Sequence, residues 1–308
     1  MEIILFFALG IFAALIRSDL EIPDQLSKSL SIFLLLSIGL KGGHELISAE
    51  SLAGFVPVVI LGLCSCLLIP ILYFFFFKNH IGKNNAGALA ACYGSVSAVT
   101  FITAQSVLES QNINFSGFMV ATMALMEIPA IIIGIFLYQK YSNSKKNISL
   151  LFKSVVTSKS VILLVGGFII GLTMDSASWA GISTLVQGCF KGVLCLFLID
   201  LGILAQRQLK DTLNYKKSIL VIAVVLPIIF GTIAFFLGHI LNFSTGNKIL
   251  LSVLVGSASY IAAPAAVKSS IPTANPSLFL GLPLALTFPM NLLIGIPYYI
   301  YLSQLLSN

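Results

Sequence analysis

Residues 28–46 read KSLSIFLLLSIGLKGGHEL and residues 191–209 read KGVLCLFLIDLGILAQRQL. The two align without a gap and pair Gly39 with Gly202. Each is an apolar run long enough to cross a bilayer, which takes about 20 helical residues. At nearly the same offset, Tyr93-Gly94-Ser95-Val96-Ser97 falls on Val255-Gly256-Ser257-Ala258-Ser259. Ile128-Pro129 and Phe288-Pro289 follow in the same order, each ahead of an apolar run and a glycine, Gly134 and Gly295. Leucine-rich sequence matches itself by chance, but three matches in one order argue for an internal repeat.

Outward from these segments the whole chain has the same character. Of its 308 residues, 58% are hydrophobic and 9% charged, with a mean hydropathy of +1.03. A soluble domain carries roughly 25% charged residues, so an ordinary soluble enzyme is excluded. The apolar runs are unbroken and lack the alternation of a membrane β-strand. Ten spans are predicted, at about 2–17, 28–47, 53–77, 86–107, 115–139, 160–175, 186–205, 217–241, 249–267 and 277–304. Met1 leads straight into the first, without a basic leader or small-residue cleavage site, so that segment reads as a span and not a removable signal. The polar stretch 140–159 separates two halves, 1–139 and 160–308, of five spans each. An odd number per half inserts the copies in opposite directions. The expected fold is an all-α polytopic membrane protein of ten transmembrane helices, built as two inverted five-helix repeats. In such repeats the substrate site lies near the midplane between broken helices, here spans 4 and 9.

Charge placement predicts orientation, because cytoplasmic loops hold the excess of Lys and Arg. Of 17 such residues all but Lys41, Lys191 and Lys248 fall on the side of the 140–159 linker. That places the linker inside and both termini outside the cytoplasm, in the inner (plasma) membrane. The net charge of +6 and pI near 9.0 follow from this bias, and no nucleic acid partner is expected. Cys64, Cys66, Cys92, Cys189 and Cys195 all sit in apolar runs and read as small core residues.

The chemistry concentrates in spans 4 and 9. Span 4 carries Gly94, Ser95, Ser97 and Thr100; span 9 carries Gly256, Ser257, Ser259 and Pro264. Glycine and small hydroxyl residues weaken a helix and admit close backbone approach, and Pro264 obstructs the carbonyl of Tyr260. A break at membrane depth is tolerated only where it lines a cavity or is buried in protein. Freed amides and hydroxyls can hold a small oxyanion, and freed carbonyls a cation. Tight helix packing is the plainer reading of one such motif; the matched pair favours a site.

Only two acids, Glu127 and Asp200, lie deep in spans, where a carboxylate is costly and points to function. Glu127 precedes Pro129, whose missing amide leaves the Leu125 carbonyl available, so the two can supply a cation ligand or a proton acceptor. Asp200 sits two residues before Gly202, where the repeat places Ser37. Either acid could instead hold helices together through hydrogen bonds. Lys41 and Lys191 read as snorkelling residues, Trp179 as an interfacial anchor, and His44, His80 and His239 form no cluster.

At these residues the chain resembles the sodium-dependent bicarbonate transporter family, whose familiar members are cyanobacterial permeases. The stretches that carry the likeness run nearly end to end: Ile38-Gly39-Leu40-Lys41-Gly42-Gly43, the Gly94–Thr100 segment, Met126-Glu127-Ile128-Pro129-Ala130, and Ile271-Pro272-Thr273-Ala274-Asn275-Pro276-Ser277. The resemblance implies a mobile core moving against a scaffold, a homotrimer, sodium-coupled bicarbonate uptake, and control by a small PII-like protein. The chain departs from the family in span 9. There the family's SSSDISGPP becomes Ser257-Ala258-Ser259-Tyr260-Ile261-Ala262-Ala263-Pro264-Ala265. The family's aspartate in span 5 is Glu127, one serine hydroxyl is absent from Ser97-Ala98-Val99-Thr100, and the linker is shorter. A less polar site can suit another small anion.

The function expected is therefore secondary active symport of bicarbonate or a related small inorganic or carboxylate anion, driven by sodium. Gly94, Ser95, Ser97, Thr100, Gly256, Ser257 and Ser259 would form the anion site. Glu127 with the Leu125 and Tyr260 carbonyls would hold sodium, and no cofactor beyond the coupling ion is implied. The alternatives are a proton-coupled antiporter using Glu127 and Asp200, or a passive anion channel, although no span is polar along its whole length. A membrane enzyme is disfavoured, since no cluster of histidine, cysteine and carboxylate appears in the sequence.

Overall fold

The structure, a computed structural model, describes residues 2–47, 54–142, 153, 156–213 and 217–306. Most of the expected linker, including Lys145 and Lys146, lies outside the described residues. Among the described residues all regular structure is helical. The helices are α1 (Glu2–Leu15), α2 (Asp24–Ile47), α3 (Phe55–Phe77), α4 (Gly82–Gly94), α5 (Ala98–Ser110), α6 (Phe118–Ser142) and α7 (Lys159–Thr173). They continue with α8 (Ser176–Gly188), α9 (Phe190–Leu213), α10 (Lys217–Ile240), α11 (Thr245–Val255), α12 (Ala262–Ser270) and α13 (Ser277–Leu305). Among the described residues seven segments are long and apolar enough to cross a membrane, counting α4 with α5 and α8 with α9 as one each; α1, α7 and α11 are shorter apolar helices. Leu67, Leu68, Phe76, Ile169, Ile170 and Ile233 lie exposed on the outer surface, as side chains facing hydrocarbon do. The chain is a membrane protein.

Two departures from even spans stand out. Span 4 is interrupted at Ser95–Ser97, where Ser95 and Ser97 are extended, and span 9 stops at Val255 and resumes at Ala262. Ahead of the expected span 7 the structure adds α8, of which only 186–188 fell within that span. Its start is set by Asp175, whose side chain accepts the Ser178 N–H at 2.9 Å and satisfies a helix-end donor. That hydrogen bond also holds the Asp175 carboxyl below the usual range.

The packing falls into two groups. In the first, α2 lies against α7 and α1 against α9. Here backbones touch: Gly39 and Gly43 of α2 interdigitate with Gly167 and Gly171 of α7, both pairs spaced four apart, and Gly10 meets Gly202. Close approach through small residues is how membrane helices gain dispersion contacts without a hydrophobic driving force. In the second group α3, α4 and α6 pack mutually, and α10 packs on α11. The glycine ending α4, Gly94, lies on Pro70 of α3, and Gly256, after α11, lies on the Pro227 carbonyl of α10. Both positions leave no room for a Cβ.

The last helix, α13, is wound unusually. Backbone bonds run from the N–H of Leu282 to the Ser277 carbonyl, from Phe288 to Pro283 and from Ile296 to Asn291, five residues back in each case. These π-type turns surround Pro283 and Pro289, which lack the amide an α-turn needs.

Candidate functional site

The two interruptions meet. The Ser97 N–H donates to Ser257 Oγ at 2.9 Å, and the Ser259 N–H donates to the Cys92 carbonyl at 2.8 Å. Backbone donors freed by each break are thus satisfied by the other, as buried amides require. From the crossing, α5 and α12 leave with their N-termini at a common central cavity, lined by Ala98, Val99, Ile261 and Ala262. Each first turn is stitched by a serine. Ser97 Oγ accepts the Thr100 N–H at 3.1 Å, and Ser259 Oγ accepts the Ala263 N–H at 3.1 Å. Helix N-termini carry partial positive charge, so two of them converge here.

The expected site residues divide by position. Ser97, Ser259, Tyr260 and Glu127 line the central cavity, joined by Ser31 and Ser160. Ser95, Thr100 and Ser257 stand one layer back: Ser95 Oγ donates to the Glu127 carbonyl at 3.0 Å, Thr100 Oγ1 to Ser97 Oγ at 2.8 Å, and Ser257 Oγ to the Leu254 carbonyl at 2.8 Å. Gly94 and Gly256 serve close packing, outside the cavity wall. Leu125 faces outward, 45% exposed, and is not part of the cavity lining. Asp200 is elsewhere in the fold: it is buried, and its Oδ2 accepts the Ser27 hydroxyl at 2.5 Å between α2 and α9.

Glu127 is the unusual group. It is 6% exposed, and among the described residues no cation or hydrogen-bond donor reaches its carboxylate. An unpartnered buried carboxylate is strongly disfavoured and takes up a cation or a proton. Its neighbourhood offers hydroxyls, the Ser95-bonded backbone and helix ends.

The central cavity is about 20 Å³, room for one water-sized species. It shares the wall residues Glu127 and Ala262 with a cavity of about 240 Å³. It shares Ser31, Phe197, Tyr260 and Ile261 with another of about 230 Å³. Lys159 lines both of these larger cavities, so they open toward the linker end of the bundle. A fourth cavity, about 280 Å³, lies at the opposite end among Ser37, Gln105, Ser106 and Lys191, and shares no lining residue with the centre. Leu34, Leu35, Ile38 and Ile102 stand between. Beyond them Lys41 of α2 pairs with Glu109 of α5 and, at 3.7 Å, with Glu45. The central cavity adjoins the two larger cavities at one end through common wall residues, and those four apolar side chains separate it from the cavity at the other.

A sequence model of the Na+-dependent bicarbonate transporter superfamily matches residues 2–304. The chain belongs to that superfamily. No curated protein gives a significant match to the whole sequence. Within the family frame, the structure adds residues that sequence reading missed. Asn291 is buried in α13 and its Nδ2 donates to the Gly256 carbonyl at 2.8 Å, tying α13 to the second break. Thr287 bridges the Tyr93 hydroxyl at 2.8 Å and the Ala223 carbonyl at 2.9 Å, linking α4, α10 and α13. The signal for Asn291 was in the sequence: an amide in an otherwise apolar span is expensive unless it has a partner.

Proposed function

We propose that the chain carries bicarbonate, or a related small oxyanion, into the cytoplasm together with sodium. The observation that carries this reading is Glu127: a buried carboxylate with no partner among the described residues, on the wall of a cavity where two broken helices present their N-termini. A sodium ion on Glu127 and a nearby carbonyl, for which Tyr260 is the candidate that shares the cavity wall, compensates the carboxylate. The converging helix ends and the Ser97 and Ser259 hydroxyls suit an anion. With both bound across the central cavity and the larger cavities that share its walls, the charge of each offsets that of the other in a low-dielectric site, so the fully loaded form crosses more readily than a half-loaded one.

The matched contacts support two inverted halves of five spans. The glycine crossings of α2 on α7 and of α1 on α9 are related by the repeat, and so are the glycine–proline contacts behind the two breaks. The division into two packing groups suits movement of the break-containing group against the glycine-packed one. With the linker inside, the end that holds the two larger cavities is cytoplasmic and the opposite end external. A passive channel is less well supported, because the centre and the external cavity share no wall. Proton exchange through Glu127 and Asp200 together lacks a shared cavity.

The test is uptake of labelled bicarbonate by proteoliposomes with and without an inward sodium gradient. Uptake driven by the gradient, and lost in Glu127→Gln with an intact fold, is expected. Equal rates with and without sodium would overturn the coupling.

A further inference from the structure

We infer that the Tyr260 phenol is a hydrogen-bond donor to the carried anion and sets its affinity, an assignment that rests on the transport reading above. The argument is a count of hydrogens. A hydroxyl oxygen has two acceptor positions and one hydrogen. Ser97 Oγ accepts from the Thr100 N–H at 3.1 Å and from Thr100 Oγ1 at 2.8 Å. Both acceptor positions are filled, so the Ser97 hydrogen must be donated outward.

Beside it stands the Tyr260 hydroxyl. It lies against the Ser97 and Thr100 side chains, is shut off from solvent, and among the described residues closes no hydrogen bond of good geometry. Tyr260 is 5% exposed and lines the central cavity as well as the larger one next to it. Its ring rests tilted on Phe288, 5.2 Å between centroids, which restrains the ring while the O–H remains free to turn. If Ser97 donates to the phenol oxygen, the phenol hydrogen is left without an acceptor among the described residues, on a side chain that forms part of the cavity wall. The row Thr100, Ser97, Tyr260 then has all its hydrogens running one way, each bond polarising the next. It ends in a donor, and a buried donor without an acceptor is costly. An oxyanion supplies that acceptor; a bare cation does not. Thr100 and Ser97 act through Tyr260 as positioning residues.

Tyr260→Phe removes the hydroxyl and keeps the ring. In sodium-driven bicarbonate uptake we expect KM to rise about tenfold, the loss of one hydrogen bond to a charged group. Vmax and the half-saturating sodium at saturating bicarbonate stay near wild type. Thr100→Val frees an acceptor position on Ser97, which lets Tyr260 turn its hydrogen inward, so KM rises a few-fold. The double variant matches Tyr260→Phe, because the row is already cut. A wild-type KM in Tyr260→Phe overturns the assignment, as does full additivity of the two changes. If Tyr260→Phe does not fold, the Thr100→Val shift alone decides, and its absence counts against the row.

If wild type takes up no bicarbonate, the transport reading fails and Tyr260 is tested by binding instead. Formate and nitrate, trigonal oxyanions, are added to purified protein in a thermal-unfolding assay. A Tm rise in wild type that is absent in Tyr260→Phe upholds the donor role. Equal rises in both proteins, or none in either, overturn it.

Discussion

The glycines of α7 offer a graded test of the α2–α7 contact, because three of them sit in one helix with different surroundings. A Cβ on Gly166 would meet nothing within 4 Å. On Gly167 it would lie 3.0 Å from the Leu36 carbonyl oxygen and 3.3 Å from the Leu40 nitrogen. On Gly171 it would overlap the Leu40 carbonyl oxygen and sit 3.0 Å from the carbonyl carbon and 3.1 Å from the His44 nitrogen. The atoms met at Gly171 are backbone, so no side chain can turn aside and the helices must part. Overpacking of this kind costs about 1–3 kcal/mol, since a gap of even 0.5–1 Å gives up roughly a quarter to a half of each dispersion contact. Gly166→Ala, by contrast, gains helix propensity of up to about 1 kcal/mol. The expected order of stability is Gly166→Ala, wild type, Gly167→Ala, Gly171→Ala, with about 1–3 kcal/mol between the extremes, because the propensity gain is common to all three variants and the overpacking cost is not. Unfolding by a denaturing detergent titrated into mild micelles, read by tryptophan fluorescence from Trp179, measures it. Equal midpoints for Gly166→Ala and Gly171→Ala would refute the backbone contact of α2 with α7.

Asn291→Ala strands the Gly256 carbonyl and should cost about 1–3 kcal/mol, measured in the same titration, with Asn291→Asp no adequate replacement because an ionised carboxylate cannot donate. Asp200→Asn, away from the central cavity and bonded to Ser27, should leave the sodium dependence of uptake unchanged, whereas Glu127→Gln abolishes it. Neutralising Glu109 to Gln removes the ion pair that ties α2 to α5, leaves Lys41 only Glu45 on its own helix, and loosens that end: a cysteine placed at Ile102 should then react faster with a membrane-impermeant thiol reagent, and the exchange Lys41→Glu with Glu109→Lys should restore protection. The Asp175 cap is present above the ordinary carboxylate range and is lost as pH falls through the depressed native value. Hydrogen exchange at the Ser178 amide should therefore gain protection relative to Asp175→Ala at neutral pH and lose that advantage in strong acid.

The breaks were legible because their cause is local: Gly94 and Gly256 with their serines weaken a helix wherever they occur. The division of labour among those serines was not. Whether Ser97 faces a cavity while Ser95 braces the Glu127 backbone depends on how two chain segments about 160 residues apart cross, and no spacing rule encodes that. Tyr260 shows the same limit. Sequence reading found its carbonyl, through Pro264, and passed over its hydroxyl, whose neighbours come from α5. Lys41 read as a snorkelling residue because its helix end is local knowledge, whereas its partner Glu109 is a tertiary fact. Asp200 carried two readings, a proton site or a helix tie, and its bond to Ser27 bears on that choice. Trp179, read as an anchor, stacks on His44 at 4.5 Å between ring centroids.

The winding of α13 bears on length. At 1.5 Å per residue its 29 residues would reach about 44 Å as a straight α-helix, well beyond a hydrocarbon layer of about 30 Å. Long spans commonly absorb such excess by tilting. Here the π-type turns take up part of it, because each fits an additional residue into the coil and advances less along the axis. The surplus is stored as slack. Removing one residue from 283–287 would let that turn relax toward ordinary α winding while Asn291, on the next turn, kept its grip on the Gly256 carbonyl. An insertion at the same place has no such reserve.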